Sequence, residues 1–221
     1  MDIFKILQDE LQIGYKQVEA AVRLIDEGNT IPFIARYRKE ATGSLNDEVL
    51  RNLDERLRYL RNLEEKKNQV LSTIRDQEKL TPELEKQIQE AMTMVALEDL
   101  YRPYRPKRRT RAMIAKERGL EPLAELILNQ QAKEPLEQIA ERYVSEANEV
   151  PTVADAMAGA KDIIAERISD RADYRTYIRN ATMEQGMIRS QAKDEKAESV
   201  YEMYYEFEEA VAKLAGHRIL A

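Results

Sequence analysis

Residues 46–77 read NDEVLRNLDERLRYLRNLEEKKNQVLSTIRDQ, and their spacing decides the fold class. Leu50, Leu53, Leu57 and Leu60, then Leu71 and Ile74, recur at alternating three- and four-residue steps. That period puts them on one side of an α-helix, whereas a half-buried strand alternates every second residue. Glu64 and Lys67 fall on the same stripe at its middle, in phase. The pattern predicts one long helix over about 46–77, packed at both ends and wetter at its centre. A dimeric coiled coil is the alternative reading, but the seam is short and interrupted by charge.

The chain upstream follows the same period. Asp2–Leu11 gathers Ile3, Ile6, Leu7 and Leu11 on one face, and Lys16–Glu27 gathers Val18, Ala21, Val22 and Ile25. Gly28-Asn29 ends that helix, because both residues tolerate the left-handed geometry that follows a helix end. Thr30 stands where a cap belongs and Pro32 fits a first turn. Ile31, Ile34 and Tyr37 then share the inward face of the next helix. Residues 16–39 thus have the helix, turn and helix of an αα-hairpin or a helix-turn-helix.

Downstream, Thr81-Pro82-Glu83 starts a helix expected to carry Leu84, Ile88, Ala91 and Val95 inward and to run on towards Leu100. Pro103 and Pro106 break it. Thr110 caps a short helix ending at Gly119, Pro122 and Pro135 mark two more first turns, and Thr152 caps a helix carrying Val153, Ala156, Met157, Ala160, Ile163 and Ile164. Another helix runs from Ser169 or Asp170 to near Gly186. Residues 194–209 hold seven acids against Lys196 alone, with interleaved Tyr201, Tyr204, Tyr205 and Phe207, and read as a half-buried helix. Met187–Ala192 is the one place where a short extended piece is allowed. The fold class is therefore all-α, a multi-helix assembly around one long helix, in three parts: 1–45, 46–118 and 119–221.

Composition narrows the chemistry. The 221 residues carry a net charge of −6, seven glycines, one histidine and no cysteine. Thiolate metal sites and disulfides are excluded. The glycines are all isolated, so neither a P-loop nor a dinucleotide fingerprint exists. His217, near the chain end, has no Ser or acid at a recognisable catalytic spacing, and most acids sit at helical spacing beside basic residues, as solvated faces do. No catalytic residue, cofactor or metal is expected, and no small-molecule substrate. The start of the chain lacks the pattern of a signal peptide, and no run approaches the roughly 20 apolar residues that span a bilayer. A cytoplasmic protein without membrane contact is expected.

Against this acidic background, residues 101–111 stand out: Tyr-Arg-Pro-Tyr-Arg-Pro-Lys-Arg-Arg-Thr-Arg. Arg102, Arg105, Lys107, Arg108, Arg109 and Arg111 sit together with no acid among them. Guanidinium groups pair with phosphates through two parallel hydrogen bonds, and Tyr101 and Tyr104 are placed to stack on unpaired bases. The other reading is internal: the arginines cap helix ends and pair with the chain's own acids, the 194–209 segment among them. In the helix-turn-helix unit, Arg36, Arg38 and Lys39 are the candidates for a nucleic-acid backbone. A recognition helix, however, carries polar base-reading residues near its start, and Ile31-Pro32-Phe33-Ile34 suits a packing hairpin better.

Two runs add a resemblance. Val22–Gly43, with Ile31-Pro-Phe-Ile-Ala-Arg-Tyr-Arg-Lys-Glu-Ala-Thr-Gly43 at its heart, resembles a hallmark of the bacterial Tex family of transcription accessory proteins. Leu97–Arg111, followed by Gly119-Leu-Glu-Pro-Leu-Ala124, resembles that family's second signature. The resemblance covers essentially the whole chain. It implies an all-helical N-terminal region with a helix-turn-helix-like part, preceding a YqgF domain, a helix-hairpin-helix unit and an S1 RNA-binding domain. The closing Gly216–Ala221 resembles the lead-in to the YqgF domain. The resemblance assigns catalysis to no residue here and places most RNA or DNA affinity in the absent S1 domain, so contacts made by this region alone are expected to be weak. It implies a scaffold, with docking on the transcription machinery as the alternative role, and singles out Pro32, Arg36, Tyr37, Arg38, Lys39 and the basic segment.

Overall fold

The computed structural model describes residues 1–106, 108–194 and 196–220. The chain divides into two compact units, Met1–Tyr104 and Arg105–Ala221. Helices dominate both, and one two-stranded sheet accompanies them among the described residues.

The first unit is organised by its longest helix. α1 (Ile3–Leu11), α2 (Tyr15–Asp26) and α3 (Ile31–Tyr37) pack on the first half of α4 (Asp47–Asp76). Caps fix the starts: Asp2 accepts from the Lys5 N–H at 3.0 Å and Asn46 from Val49 at 2.8 Å, each satisfying a donor that the first helical turn leaves free. Gly28 turns the chain between α2 and α3 at φ +83°, a conformation that costs a residue with a Cβ. Leu50, Leu53, Leu57 and Leu60 meet Leu7, Val18, Val22 and Ile34 in one cluster. Two ion pairs flank it. Arg56 of α4 holds Glu10 of α1 through two hydrogen bonds of 2.6 and 2.7 Å, and Arg61 holds Asp26 of α2 at 2.6 and 2.8 Å.

The second half of α4 packs α5 (Pro82–Glu90) and α6 (Met94–Tyr101) through Leu63, Val70, Ile74, Leu84, Ile88 and Leu97. Here two expectations fail. The centre of α4 is not wet: Leu63 is fully buried and Lys67 is only 4% exposed. A straight helix turns 3.6 residues, not 3.5, so the contact face drifts off a strict heptad stripe and brings Leu63 and Val70 inward. Lys67 follows them because its Nζ donates to the Gln89 carbonyl at 2.7 Å, one of the last-turn carbonyls of α5 that has no donor within the helix. Second, residues 82–100 are not one helix. α5 stops at Glu90, Ala91 is extended, and Thr93 caps α6 by accepting from the Ala96 N–H at 3.1 Å. The break turns Val95 outward, to 51% exposure.

In the second unit, α7 (Arg111–Glu117), α8 (Glu121–Leu128), α9 (Leu136–Glu141) and α10 (Val153–Ser169) enclose a core rich in small residues: Ala112, Ala115, Ala124, Ala156 and Ala160 around Leu120, Leu123 and Ile163. Small side chains let α7 and α10 approach closely. Thr110 and Thr152 cap their starts as the sequence indicates. α11 (Ala172–Gln185) follows, then β1 (Met187–Gln191), paired antiparallel with β2 (Glu206–Ala210); α12 is the short Gly216–Ile219. The extended piece expected at 187–192 is thus present. The helix expected over 194–209 is not: the segment holds a 3₁₀ turn at Glu202–Tyr204 and then β2. Glutamate favours helices by local propensity, but β1 supplies a ladder, and Arg189 standing opposite Glu208 favours the pairing.

Candidate nucleic-acid interface

α3 is only seven residues long, and its sequence puts opposite chemistries on its two sides. Ile34 is fully buried in the α1–α4 cluster, and Ile31 and Ala35 pack beside it. These three sit at i, i+3 and i+4, which is one helical face. Phe33, Arg36 and Tyr37 therefore point away from the core. Tyr37 is 60% exposed and Phe33 36%, so the expected inward direction of Tyr37 and core anchoring by Phe33 are overturned; Ala35, not Tyr37, completes the buried face. The two rings lie 5.3 Å apart at 48°. The Arg38 guanidinium stands 5.2 Å from the Phe33 centroid and that of Arg36 6.0 Å from Tyr37. Both distances are within the range of cation–π attraction.

The backbone beneath this cluster is held from inside. Thr42, fully buried, donates its hydroxyl to the Arg38 carbonyl at 3.2 Å and the Lys39 carbonyl at 3.4 Å. Gln17 of α2 donates to the carbonyls of Thr42 and Gly43 at 3.1 and 3.0 Å, while its Oε1 accepts from the Gly14 N–H at 2.9 Å. One glutamine side chain thus ties the start of α2 to the turn leaving α3. Arg36, Arg38 and Lys39 are exposed, and among the described residues no ion pair joins any of them to a carboxylate. Beside α3 opens a shallow cleft of 480 Å³ lined by Gly28, Asn29, Thr30, Pro32, Arg51, Asp54 and Arg58. Its cations are already matched: Arg51 bonds Asp47 at 2.6 Å and Arg58 lies 2.8 Å from Asp54.

The basic segment has a different character. Tyr101 and Tyr104 are half-buried against the cluster of Leu63 and Leu97, and Tyr104 offers its carbonyl to Gln77 at 2.9 Å. Core packing takes part of each ring that was expected to stack on bases. Arg102 and Arg105 are exposed and each is partnered within the chain. Lys107 lies outside the described residues. Arg108 is exposed and has no ion pair among the described residues. Arg109 meets Glu117 at 2.6 Å and Arg111 meets Asp162 at 3.6 Å, yet the two arginine side chains remain 69% and 86% exposed. Their partners are these helix acids, not the 194–209 segment, whose Glu209 bonds Arg218 instead. Exposed pairs of this kind hold little energy, so an external anion can displace either carboxylate.

Among the described residues, no cluster of acids and histidine has the arrangement of a metal site, and no helix is long and apolar enough to cross a membrane. The pronounced pKa changes belong to structural groups. The Arg56 hydrogen bonds lower the Glu10 carboxyl, those of Arg61 lower Asp26, that of Arg167 lowers Glu125, and burial lowers Lys67.

Comparison with known proteins identifies the setting of these surfaces. The family model for the Tex-like protein N-terminal domain matches residues 1–75, and that for the Tex central region matches residues 130–221. The chain belongs to the Tex family. The transcriptional accessory protein Tex of Neisseria gonorrhoeae is 43% identical over all of this chain, and protein tex of Bordetella pertussis is 46% identical over 97% of it. S1 RNA-binding domain-containing protein 1 of Homo sapiens is 27% identical over the whole chain. These alignments cover 29%, 27% and 23% of the respective relatives, so the chain spans less than a third of the length of the Tex proteins it matches. The α3 surface falls inside the first match, while the basic segment lies between the two.

The α3 cations were legible in the sequence; the outward aromatic pair was not. The signal for it was present in Ile31, Ile34 and Ala35, whose spacing leaves Phe33 and Tyr37 on the far side.

Proposed function

We propose that this chain is a non-catalytic helical scaffold of a Tex-type transcription accessory protein and that it lends auxiliary contacts to a nucleic-acid backbone. The supporting observation is the exposure of the arginines at 108, 109 and 111, held at most by single surface carboxylates. A relative named for an S1 RNA-binding domain and another named a transcriptional accessory protein fit the same role.

Salt titration tests it. Contacts to phosphates make log K fall with log salt by about 0.9 per duplex phosphate neutralised, and by about 0.7 on a single strand. Arg108→Ala/Arg109→Ala should make that slope shallower by one to two units and cost under ~1 kcal/mol of stability, because both side chains are exposed. An unchanged slope would refute the backbone contact.

A second reading, docking on a protein of the transcription machinery, draws on α11. Every residue of that helix keeps some exposure, with Tyr177 at 74%, Ile178 at 62% and Met183 at 56%. Retention of a transcription protein by the intact chain, lost on Ile178→Asp, would favour it.

A further inference from the structure

We infer that the outer side of α3 is a stacking platform for single-stranded nucleic acid: an unpaired base lies on Tyr37, backed by Phe33 and Arg38, while Arg36 and Lys39 meet the flanking phosphates. The inference rests on the reading that this chain contacts nucleic acid and specifies where and in what form.

Three features of the cluster carry it. Its aromatic surface is not spare core: Tyr37 is 60% exposed, and Phe33 stands outside the residues packed on the α1–α4 cluster. Its charge is unbalanced, since no carboxylate pairs with Arg36, Arg38 or Lys39 among the described residues, whereas the arginines of the neighbouring cleft are matched to Asp47 and Asp54. Its backbone is held in advance by buried Thr42 and by Gln17, so little ordering remains to be done when a ligand arrives.

Aromatic faces beside uncompensated guanidinium groups suit a ligand that has flat faces and negative charge at short intervals. A single strand offers both. A duplex offers the charge but keeps its base faces inside its own stack. An acidic peptide also offers charge but lacks a regular supply of flat rings, and a peptide contact is the alternative that the test must expose.

The whole chain is titrated by fluorescence anisotropy with an oligouridylate and an oligothymidylate of about 12 nucleotides and with a duplex of matched length. Tyr37→Ala should weaken both single-strand complexes roughly 5- to 150-fold, the worth of one stacked base. It should leave duplex binding and the salt slope unchanged. Tyr37→Phe keeps the ring and should bind as the wild type does. Tyr37→Trp should show fluorescence quenching on adding either single strand. Because Tyr37 is exposed, each variant should unfold at the wild-type midpoint.

Equal losses on duplex and single strand would overturn the inference. So would an indole that stays unquenched in the Tyr37→Trp protein, or displacement of the oligonucleotide by polyglutamate at lower charge concentration than by unlabelled single strand. The two readings fail separately. If Tyr37→Ala changes nothing while Arg108→Ala/Arg109→Ala makes the slope shallower, stacking falls and the basic-segment contact stands. If the reverse holds, α3 is the contact and the basic segment is not.

Discussion

Lys67 gives the sharpest test of how the first unit is held together. Truncation in Lys67→Ala removes three methylenes from a site that is 4% exposed. At about 0.8 kcal/mol for each, that is roughly 2.4 kcal/mol. It also leaves the Gln89 carbonyl at the end of α5 without its donor, worth about 1–3 kcal/mol if water cannot reach it. Together the expected loss is about 3–5 kcal/mol. Lys67→Met keeps the length and most of the volume, loses the same hydrogen bond, but no longer holds an ammonium group away from water. Those last two effects oppose each other, so its cost should stay under ~1.5 kcal/mol. Urea unfolding followed by circular dichroism, with both variants compared at equal m-value, measures the difference. If Lys67→Met costs as much as Lys67→Ala, the charged head group and not the buried stem holds α5 to α4, and the reasoning is wrong. The pH dependence supplies an independent check. Burial lowers the Lys67 pKa in the folded state, with Glu64 opposing more weakly. Between that lowered value and the ordinary 10.5, the unfolded chain binds more protons. Wild-type stability relative to Lys67→Met should therefore be flat at neutral pH and rise as pH climbs towards 10.5.

Leu53→Ala, at a fully buried position on α4, should cost about 2–5 kcal/mol in the same assay, while Asn52→Ala on the exposed side should stay within about 0.5; equal effects would mean that the stripe is not core. Gly159→Ala should destabilise by about 1–3 kcal/mol despite its better helix propensity, because the new Cβ would overlap the buried Leu120 Cδ1 and sit 3.2 Å from Ala115 Cβ; a raised melting temperature would show that α7 and α10 have room to spare. The Arg56 and Arg61 hydrogen bonds hold the Glu10 and Asp26 carboxyls below their ordinary values of 4.5 and 3.8. The stability they contribute is present above those values and is lost as pH falls through the lower folded ones. Arg56→Ala/Arg61→Ala should then cost about 1 kcal/mol or less per pair at neutral pH and flatten the acid limb of the stability curve, a result read from urea midpoints across the acid range.

Where side chains act on their own helix, the sequence was mostly sufficient, although Thr30 occupies the cap position of α3 without its side chain bonding a free N–H there. Thr81, Thr110 and Thr152 cap helices where the sequence places them, because a short polar side chain reaches a free N–H two or three residues on; Asp2 and Asn46 do the same at starts the sequence reading marked only by period. Helix starts, the left-handed turn at Gly28 and the all-helical class follow from such neighbours and from the apolar period. The basic residues of the candidate interface were legible for a similar reason, since charge clustering is a property of the chain itself.

What lay beyond reach depends on partners distant in sequence. Local propensity made a helix of the glutamates after 200; the ladder with β1 makes part of that segment a strand. Lys67 reads as a polar interruption until the end of α5 arrives with a carbonyl lacking a donor. Tyr37 reads as core until α3 packs on α4 through Ile31, Ile34 and Ala35, which leaves the ring in solvent. The sequence determined that this protein is predominantly helical, where the capped helices at Thr81, Thr110 and Thr152 begin and which stretch is basic, because those follow from contacts within a few residues. Only the tertiary structure decided which side of each helix faces inward and which charges are left unmatched, because burial and pairing are set by whatever the fold brings alongside.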